Sequence, residues 1–360
     1  MLLRPHLLLF TLLFALLLAP GQVTAATRPA ANSAVPVNDL TFAYFPTAVP
    51  ISVLGETMQR DRILQRNLAK LGFRLHFRPF AKGSDAMPLI RAGRIAGVSF
   101  ADMPAIEAAS SYDMQILGFV KQSYSSIIAP SGTQLKDLRK KRIGNAHGST
   151  AHYALLQALT SAGMSDREVT LVPMDVSSML EALENGTIDA FAAWEPTPTV
   201  ALKQYPGKYA QIGRQTSYSF FLLADQLARS HPEAAREIAA ALVRAIRWLR
   251  KRDANLLAAS RWAQAGAQSF SGKQLPISDQ EIARITDNDL LDVPGAPALP
   301  AQLSREDSLL LKEFEFLKQI GKLPQGASRN KLTTSLTGRL MHDIIAAPAR
   351  YQLNRFDYAN

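Results

Sequence analysis

The chain has 360 residues, 47% of them hydrophobic, with 40 basic and 30 acidic side chains and no cysteine. The missing cysteines exclude a disulfide scaffold, a thiolate metal site and an acyl anchor on cysteine. The net charge of +10 suits attraction of small anions and equally suits plain solubility.

The first residues read MLLRPHLLLFTLLFALLLAPGQVTA. Arg4, an apolar run from Leu7 to Ala19, and small residues at Val23 and Ala25 have the order of a secretory signal peptide. Cleavage is expected after Ala25, and the run is short for a membrane span. An uncleaved anchor is the competing reading. The expected destination is the periplasm, as a soluble mature chain without a lipid anchor. Residues 26–38 are rich in Ala, Pro, Asn and Ser and read as a flexible leader. The remaining length exceeds what one core usually serves, so two lobes are expected.

Strand-like alternation at 40–45 opens the fold. A helix is expected over 54–70, stopped at Gly72, and alternation returns at 73–80. A short helix (84–93) contains Pro88, an apolar strand spans 95–100, a helical turn follows, and 114–120 is another strand. A second series starts at Arg142. "RIGNA" reads as a strand, and Ala151, Ala154, Leu155, Ala158, Leu159 and Ala162 recur at helical spacing before Gly163. A strand at 169–173 precedes a helix for which Ser178 and Glu181 would form a capping box. A further strand covers 188–194.

Strands alternating with helices mean parallel pairing with helices packed on the sheet. "GRIAGVSFAD" (93–102) and "GTIDAFAAWE" (186–195) align without a gap. The alignment places Asp102 and Glu195 just past the carboxyl end of a strand in each series, where α/β sheets bind ligands. Residues 123–130 and 217–225 read as crossovers between lobes. This gives lobe 1 as 39–122 with 225–345, lobe 2 as 123–224, and a tail from 346. Helices are expected at 232–265, about 278–286, 304–320 and 331–346, with a Pro-rich loop at 293–302.

Known catalytic and metal patterns are missing. The six histidines lie at 6, 76, 147, 152, 231 and 342. Those at 147 and 152 are five apart, off a common helix face, and no H-E-x-x-H, P-loop or G-x-G-x-x-G occurs. No metal, cofactor or catalytic group is therefore expected. Ser149 and His152 read as a helix start rather than a nucleophile and base. The basic runs at 139–142 and 247–252 lack interleaved aromatics, which opposes nucleic-acid binding.

The stretch "NAHGSTAHYALLQAL" (145–159) carries the sharpest signal. With Ser149 as N-cap, its hydroxyl accepts from the amide of Ala151 or His152. The amides of Thr150 and Ala151 stay free under the positive end of the helix dipole, and Gly148 lets a ligand close to the backbone. Such a helix start prefers an anionic oxygen; an ordinary cap with solvated amides is the alternative.

"GSTAHYALLQAL", preceded by "DLRKKRIG" and followed by "MLEALENGTIDAFAAWEP", resembles the periplasmic substrate-binding proteins of nitrate/sulfonate/taurine-type ABC importers. The resemblance runs over roughly 40–345. It implies a two-lobed α/β fold of the type II periplasmic-binding kind, each lobe a mixed sheet flanked by helices and joined by two crossover strands. It also implies a small anionic ligand in the cleft, a permease partner in the inner membrane and a monomer without catalysis. Carried over residue by residue, Gly148, Ser149 and Thr150 would hold the anionic head. Trp194, Glu195 and Pro196 would line the lobe 2 wall, Ser84 and Asp102 would face them, and Ser123 and Tyr124 would lie at the crossover. Ala96 stands where the family usually has Asp, "NAH" replaces a commoner lead-in, and "SFADMP" lacks the usual glycines. These departures leave open an alkanesulfonate, a taurine-like compound, nitrate, bicarbonate or a heterocycle. A ligand-sensing adaptor on the same fold and a pyrimidine-forming enzyme of thiamine-precursor synthesis are the alternatives. The enzymes that resemble this family carry a cysteine-rich stretch.

Overall fold

The computed structural model describes residues 38–359; the expected signal peptide and nearly all of the leader lie outside the described residues. The strands are β1 (Asn38–Tyr44), β2 (Phe73–Pro79), β3 (Gly97–Ala101), β4 (Met114–Pro130), β5 (Arg142–Asn145), β6 (Thr170–Pro173), β7 (Ala190–Ala193) and β8 (Tyr209–Ala224). They form one mixed sheet in the order β2-β1-β3-β8-β4-β7-β5-β6. At one end β1 pairs in parallel with β2 and β3. At the other, β5 pairs in parallel with β6 and β7. Joining the halves are β4 and β8, antiparallel from Met114↔Ala224 to Pro130↔Tyr209 with three register shifts.

Helices cover both faces. The first half carries α1 (Ile51–Gln59), α2 (Arg62–Lys70), α3 (Gly83–Arg91) and α4 (Asp102–Ser111). The second carries α5 (Thr150–Ser161), α6 (Val176–Glu184) and α7 (Thr197–Gln204). Then follow α8 (Asp225–Ser230), α9 (Pro232–Lys251), α10 (Asp253–Ser271), α11 (Asp279–Thr286), α12 (Leu309–Gln319), α13 (Arg329–Thr334) and α14 (Arg339–Ala346).

The core divides along the same lines. On one face of the first half, Phe42, Leu54, Phe221 and Leu223 pack with the apolar sides of α9 and α10. On the other, Phe100, Ile106, Phe220 and Leu222 pack with Leu310, Phe314 and Leu317 of α12. Smaller clusters seat α5 on β5 and β7, and α6 against Phe191 and Ile128. This is an α/β fold with two sheet halves on shared crossover strands, as the resemblance implies.

Several elements differ from expectation for local reasons. The helix expected at 54–70 is two, because Asp61 caps a fresh start, accepting from Ile63 N at 2.8 Å and Leu64 N at 3.1 Å. The capping box at Ser178 and Glu181 is not formed, since α6 already begins at Val176 and both residues lie inside it. The helix expected at 232–265 breaks at Arg252, whose extended backbone (φ −158°) separates α9 from α10. The strand at 114–120 and the crossover at 123–130 are one 17-residue strand, with bulges absorbing its twist. The tail after 346 packs on the first half: Tyr351 and Leu353 are buried, and Tyr358 bridges to Asp61. Among the described residues no helix is long and apolar enough to cross a membrane.

Candidate ligand-binding site

The carboxyl ends of β3 and β5 bring the starts of α4 and α5 together. Gly148 has φ +75°, in the left-handed region that favours glycine, and the Lys322 side chain lies over it. Ser149 is the N-cap of α5 with an extended backbone, and its Oγ accepts from His152 N at 3.2 Å. Gly148 N donates to Nδ1 of the same imidazole at 3.2 Å, which leaves the ring proton on Nε2. Burial holds His152 down to about 4, so it is neutral at pH 7, with Nε2 buried and without a partner among the described residues. The amides of Thr150 and Ala151 form no hydrogen bond among the described residues.

Asp102 meets this helix start from the other half of the sheet. Its Oδ1 accepts from Met103 N at 2.8 Å and from the Thr150 hydroxyl, and its Oδ2 accepts from Tyr218 N at 2.9 Å. Thus one carboxylate, 0% exposed, ties together α4, α5 and the β8 crossover. Burial raises its pKa, and the three donors oppose that.

A second polar cluster lies on β4. Lys121 is buried and faces Asp289, Asp102 and Glu195. Burial lowers its pKa, and the three carboxylates counter the shift. Ser123 donates to Asp289, which sits in a short π-helical turn, Asp287–Leu291. Glu195 accepts from Thr199 N at 3.3 Å at the start of α7. Burial pushes both acids up.

The structure therefore gathers Gly148, Ser149, Thr150 and Asp102 at one point, and Ser123 and Glu195 at another, with Lys121 facing acids of both. Trp194 is half-buried between the two clusters that seat α5 and α6. Two expected residues are not brought in. Ser84 is exposed, its hydroxyl 3.5 Å from Asp85. Tyr124 is 41% exposed and points to the face opposite Ser123, as strand alternation dictates, with Arg214 stacked 4.2 Å from its ring.

Sequence reasoning missed Lys121, Asp289 and above all Glu313. Glu313 of α12 is fully buried against Asp102, and both its oxygens lack a donor among the described residues. One turn on, Phe316 packs on His152 and Tyr153 of α5, with ring centres 5.6 and 5.0 Å apart. Further contacts across the cleft join Lys82 to Asp175 at 2.7 Å and Gln204 to the Pro276 carbonyl at 3.2 Å.

Glu313 gives stability a readable pH dependence. Burial and the adjacent Asp102 lift its pKa well above 4.5. Above about pH 4.5 the unfolded chain loses a proton that the native chain keeps, so stability falls as pH rises toward the folded pKa. His152 works in the opposite sense: with its folded pKa depressed from 6.5 to about 4, it adds stability as pH rises between those values. Comparing the wild type with Glu313→Gln cancels the histidine. Urea unfolding is expected to show the two chains equal near pH 4 and the Glu313→Gln variant increasingly the more stable toward pH 7. A constant difference across that range would contradict the buried acid.

Among the described residues no three His, Asp or Glu side chains are placed to hold a metal ion. The family model described as the NMT1-like family matches residues 69–263. The taurine-binding periplasmic protein of Escherichia coli (strain K12) is 23% identical over 324 residues, covering 84% of this chain and 92% of that one. The match to a putative binding protein of Brucella abortus (strain 2308) is 26% identical and spans only 45% of that protein's length and 39% of this chain. In structure, the periplasmic aliphatic sulphonate binding protein SsuA of Escherichia coli superposes with a TM-score of 0.62 at 20% identity, over 81% of this chain and 91% of that one. The desulfurization enzyme DSZB shares the fold too, with a TM-score of 0.57 at 15% identity over 86% and 99%. The family match takes in more than half of the sequence, and the chain belongs to the NMT1-like family.

Proposed function

We propose that this protein is an extracytoplasmic solute-binding protein that captures a small organic anion, an alkanesulfonate or taurine-like compound, between two lobes and delivers it to an ABC importer. Lobe 1 comprises 39–122 with 225–345 and lobe 2 comprises 123–224, with β4 and β8 as hinges. The observation that carries the reading is the start of α5. The amides of Thr150 and Ala151 are unpaired among the described residues, and beside them the Thr150 hydroxyl donates to the Asp102 carboxylate from the other half of the sheet. An oxygen anion is what a helix start with free amides draws. The names of the taurine- and sulphonate-binding relatives support the same ligand class. A non-catalytic role fits the absence of cysteine, since the pyrimidine-forming enzymes that resemble this family carry a cysteine-rich stretch.

Thermal-shift titration of the chain from Ala26 onward tests the reading. The panel is ethanesulfonate, 2-aminoethanesulfonate, nitrate and bicarbonate. A ligand at 100 times its Kd stabilises by about 2.7 kcal/mol. A sulfonate is expected to give such a shift at millimolar concentration or below. No shift with either sulfonate would overturn the ligand class.

A further inference from the structure

Every buried carboxyl at the cleft but one is provided for. Asp102 has three donors. Asp289 has the Ser123 hydroxyl and Glu195 the Thr199 amide, and the charges of Lys121 and Arg284 face both acids. Glu313 has no donor: both oxygens are buried without one among the described residues, and its ionisable neighbour is another acid, Asp102. Two carboxyls so placed cannot both ionise. The pair therefore holds a proton between its two carboxyls, with burial and the neighbouring Asp102 lifting Glu313 well above the usual carboxylate range.

A buried acceptor left unmatched is costly, more so than an apolar residue of the same shape. Glu313 also interrupts an apolar helix face, between Leu310 and Leu317, that packs on α4. Around its carboxyl stand Asp102, Tyr153 and Tyr218, the groups that meet at the starts of α4 and α5 and at the β8 crossover. Tyr153 belongs to the segment that would swing away on opening, whereas Asp102 and Glu313 belong to the other. On the two-lobe reading, opening would part Tyr153 and the start of α5 from Asp102 and Glu313.

We propose that Glu313, together with Asp102, receives a positively charged nitrogen of the ligand, so that the cleft selects a zwitterion with an ammonium or amidinium group over a plain anion. The inference rests on this cleft being the ligand site. The ligand's N–H groups fill the oxygens that have no donor, and its charge takes the place of the proton held between the two acids, which leaves for solvent. The anionic end then lies on the α5 amides. A simple sulfonate would bring a second negative charge beside Asp102, where the charge of Lys121 is already shared among Asp102, Asp289 and Glu195.

The test is calorimetry of the wild type and Glu313→Gln at pH 7, each in two buffers of different ionisation enthalpy. The probes are 2-aminoethanesulfonate, ethanesulfonate and ethylamine. The wild type is expected to bind the aminosulfonate about 10-fold or more tighter than ethanesulfonate, the worth of one charge-assisted hydrogen bond. It is also expected to release about one proton on binding the aminosulfonate alone. Glu313→Gln, which puts a neutral side chain of the same shape there, should erase both the preference and the proton release. Equal affinity of the wild type for the two sulfonates, or a preference that survives in Glu313→Gln, overturns the inference and leaves the sulfonate-binding reading standing. Binding of ethylamine with neither sulfonate bound leaves Glu313 as the nitrogen site and removes the sulfonate reading. No binding of any probe overturns both.

Discussion

Arg244→Met is expected to lower the unfolding free energy by about 3–5 kcal/mol, the cost of stranding a buried partner charge. Arg244 lies in the middle of α9 and is 0% exposed. Its Nε donates to Asp61 Oδ2 at 2.7 Å and one terminal nitrogen to the Tyr351 carbonyl at 2.9 Å. The other oxygen of Asp61 caps α2, so one guanidinium links α9, the start of α2 and the chain's last segment. Methionine keeps the stem's packing and removes the charge, leaving the buried Asp61 carboxyl without its partner. Two-state urea unfolding reads the loss. Asp61→Asn in the same chain should recover part of it, because the pair is coupled and the single losses do not add. A loss below about 1 kcal/mol would show that the pair contributes little, as exposed pairs do.

What the sequence discloses depends on how local each cause is. The start of α5 is legible because a cap acts within four residues: Ser149 accepts from His152, one of the two amides anticipated. The positions of Asp102 and Glu195 past the ends of β3 and β7 are legible because strand–helix alternation repeats in both halves. The length of β4 is not, because its partner β8 lies some 90 residues away, and that pairing carries the strand through the polar stretch around Ser123. The different settings of Ser123 and Tyr124 have a related cause: neighbouring residues on a strand face opposite ways, so Ser123 is buried and Tyr124 exposed.

Glu313 had a faint signal. In "LLLKEFEFLKQ" it stands three residues after Leu310 and four before Leu317, on the stripe that should be apolar. Arg244 shares that signature, a charge on the apolar face of α9, while Lys121 closes the apolar run Ile116–Val120. A charge in such a place announces a buried partner, but its identity is set by tertiary packing. Asp289 and Asp102 lie far from Lys121 in sequence, as Asp61 does from Arg244, and nothing local selects them.

Ser149→Ala and Thr150→Pro together decide whether the start of α5 holds the ligand. Ser149→Ala removes the acceptor for His152 N, which costs about 1 kcal/mol of stability. If the hydroxyl also touches the anionic head, binding weakens by a further 1.5–3 kcal/mol or so, roughly 10- to 150-fold. Thr150→Pro separates the backbone from the cap. Thr150 is the first helical residue, where proline's fixed φ is at home, and Ser149 before it is already extended (φ −94°, ψ 168°), as a residue preceding proline must be. The helix therefore forms while one ligand-facing amide disappears. The Thr150 hydroxyl that holds Asp102 disappears as well, so Thr150→Val serves as the control that removes the hydroxyl and keeps the amide. Calorimetry with 2-aminoethanesulfonate is expected to rank affinity as wild type, then Thr150→Val, then Thr150→Pro, with the last step about 10-fold or more. Should Thr150→Pro and Ser149→Ala both bind as the wild type does, the helix start is a cap and nothing more, and the anionic head rests elsewhere in the cleft.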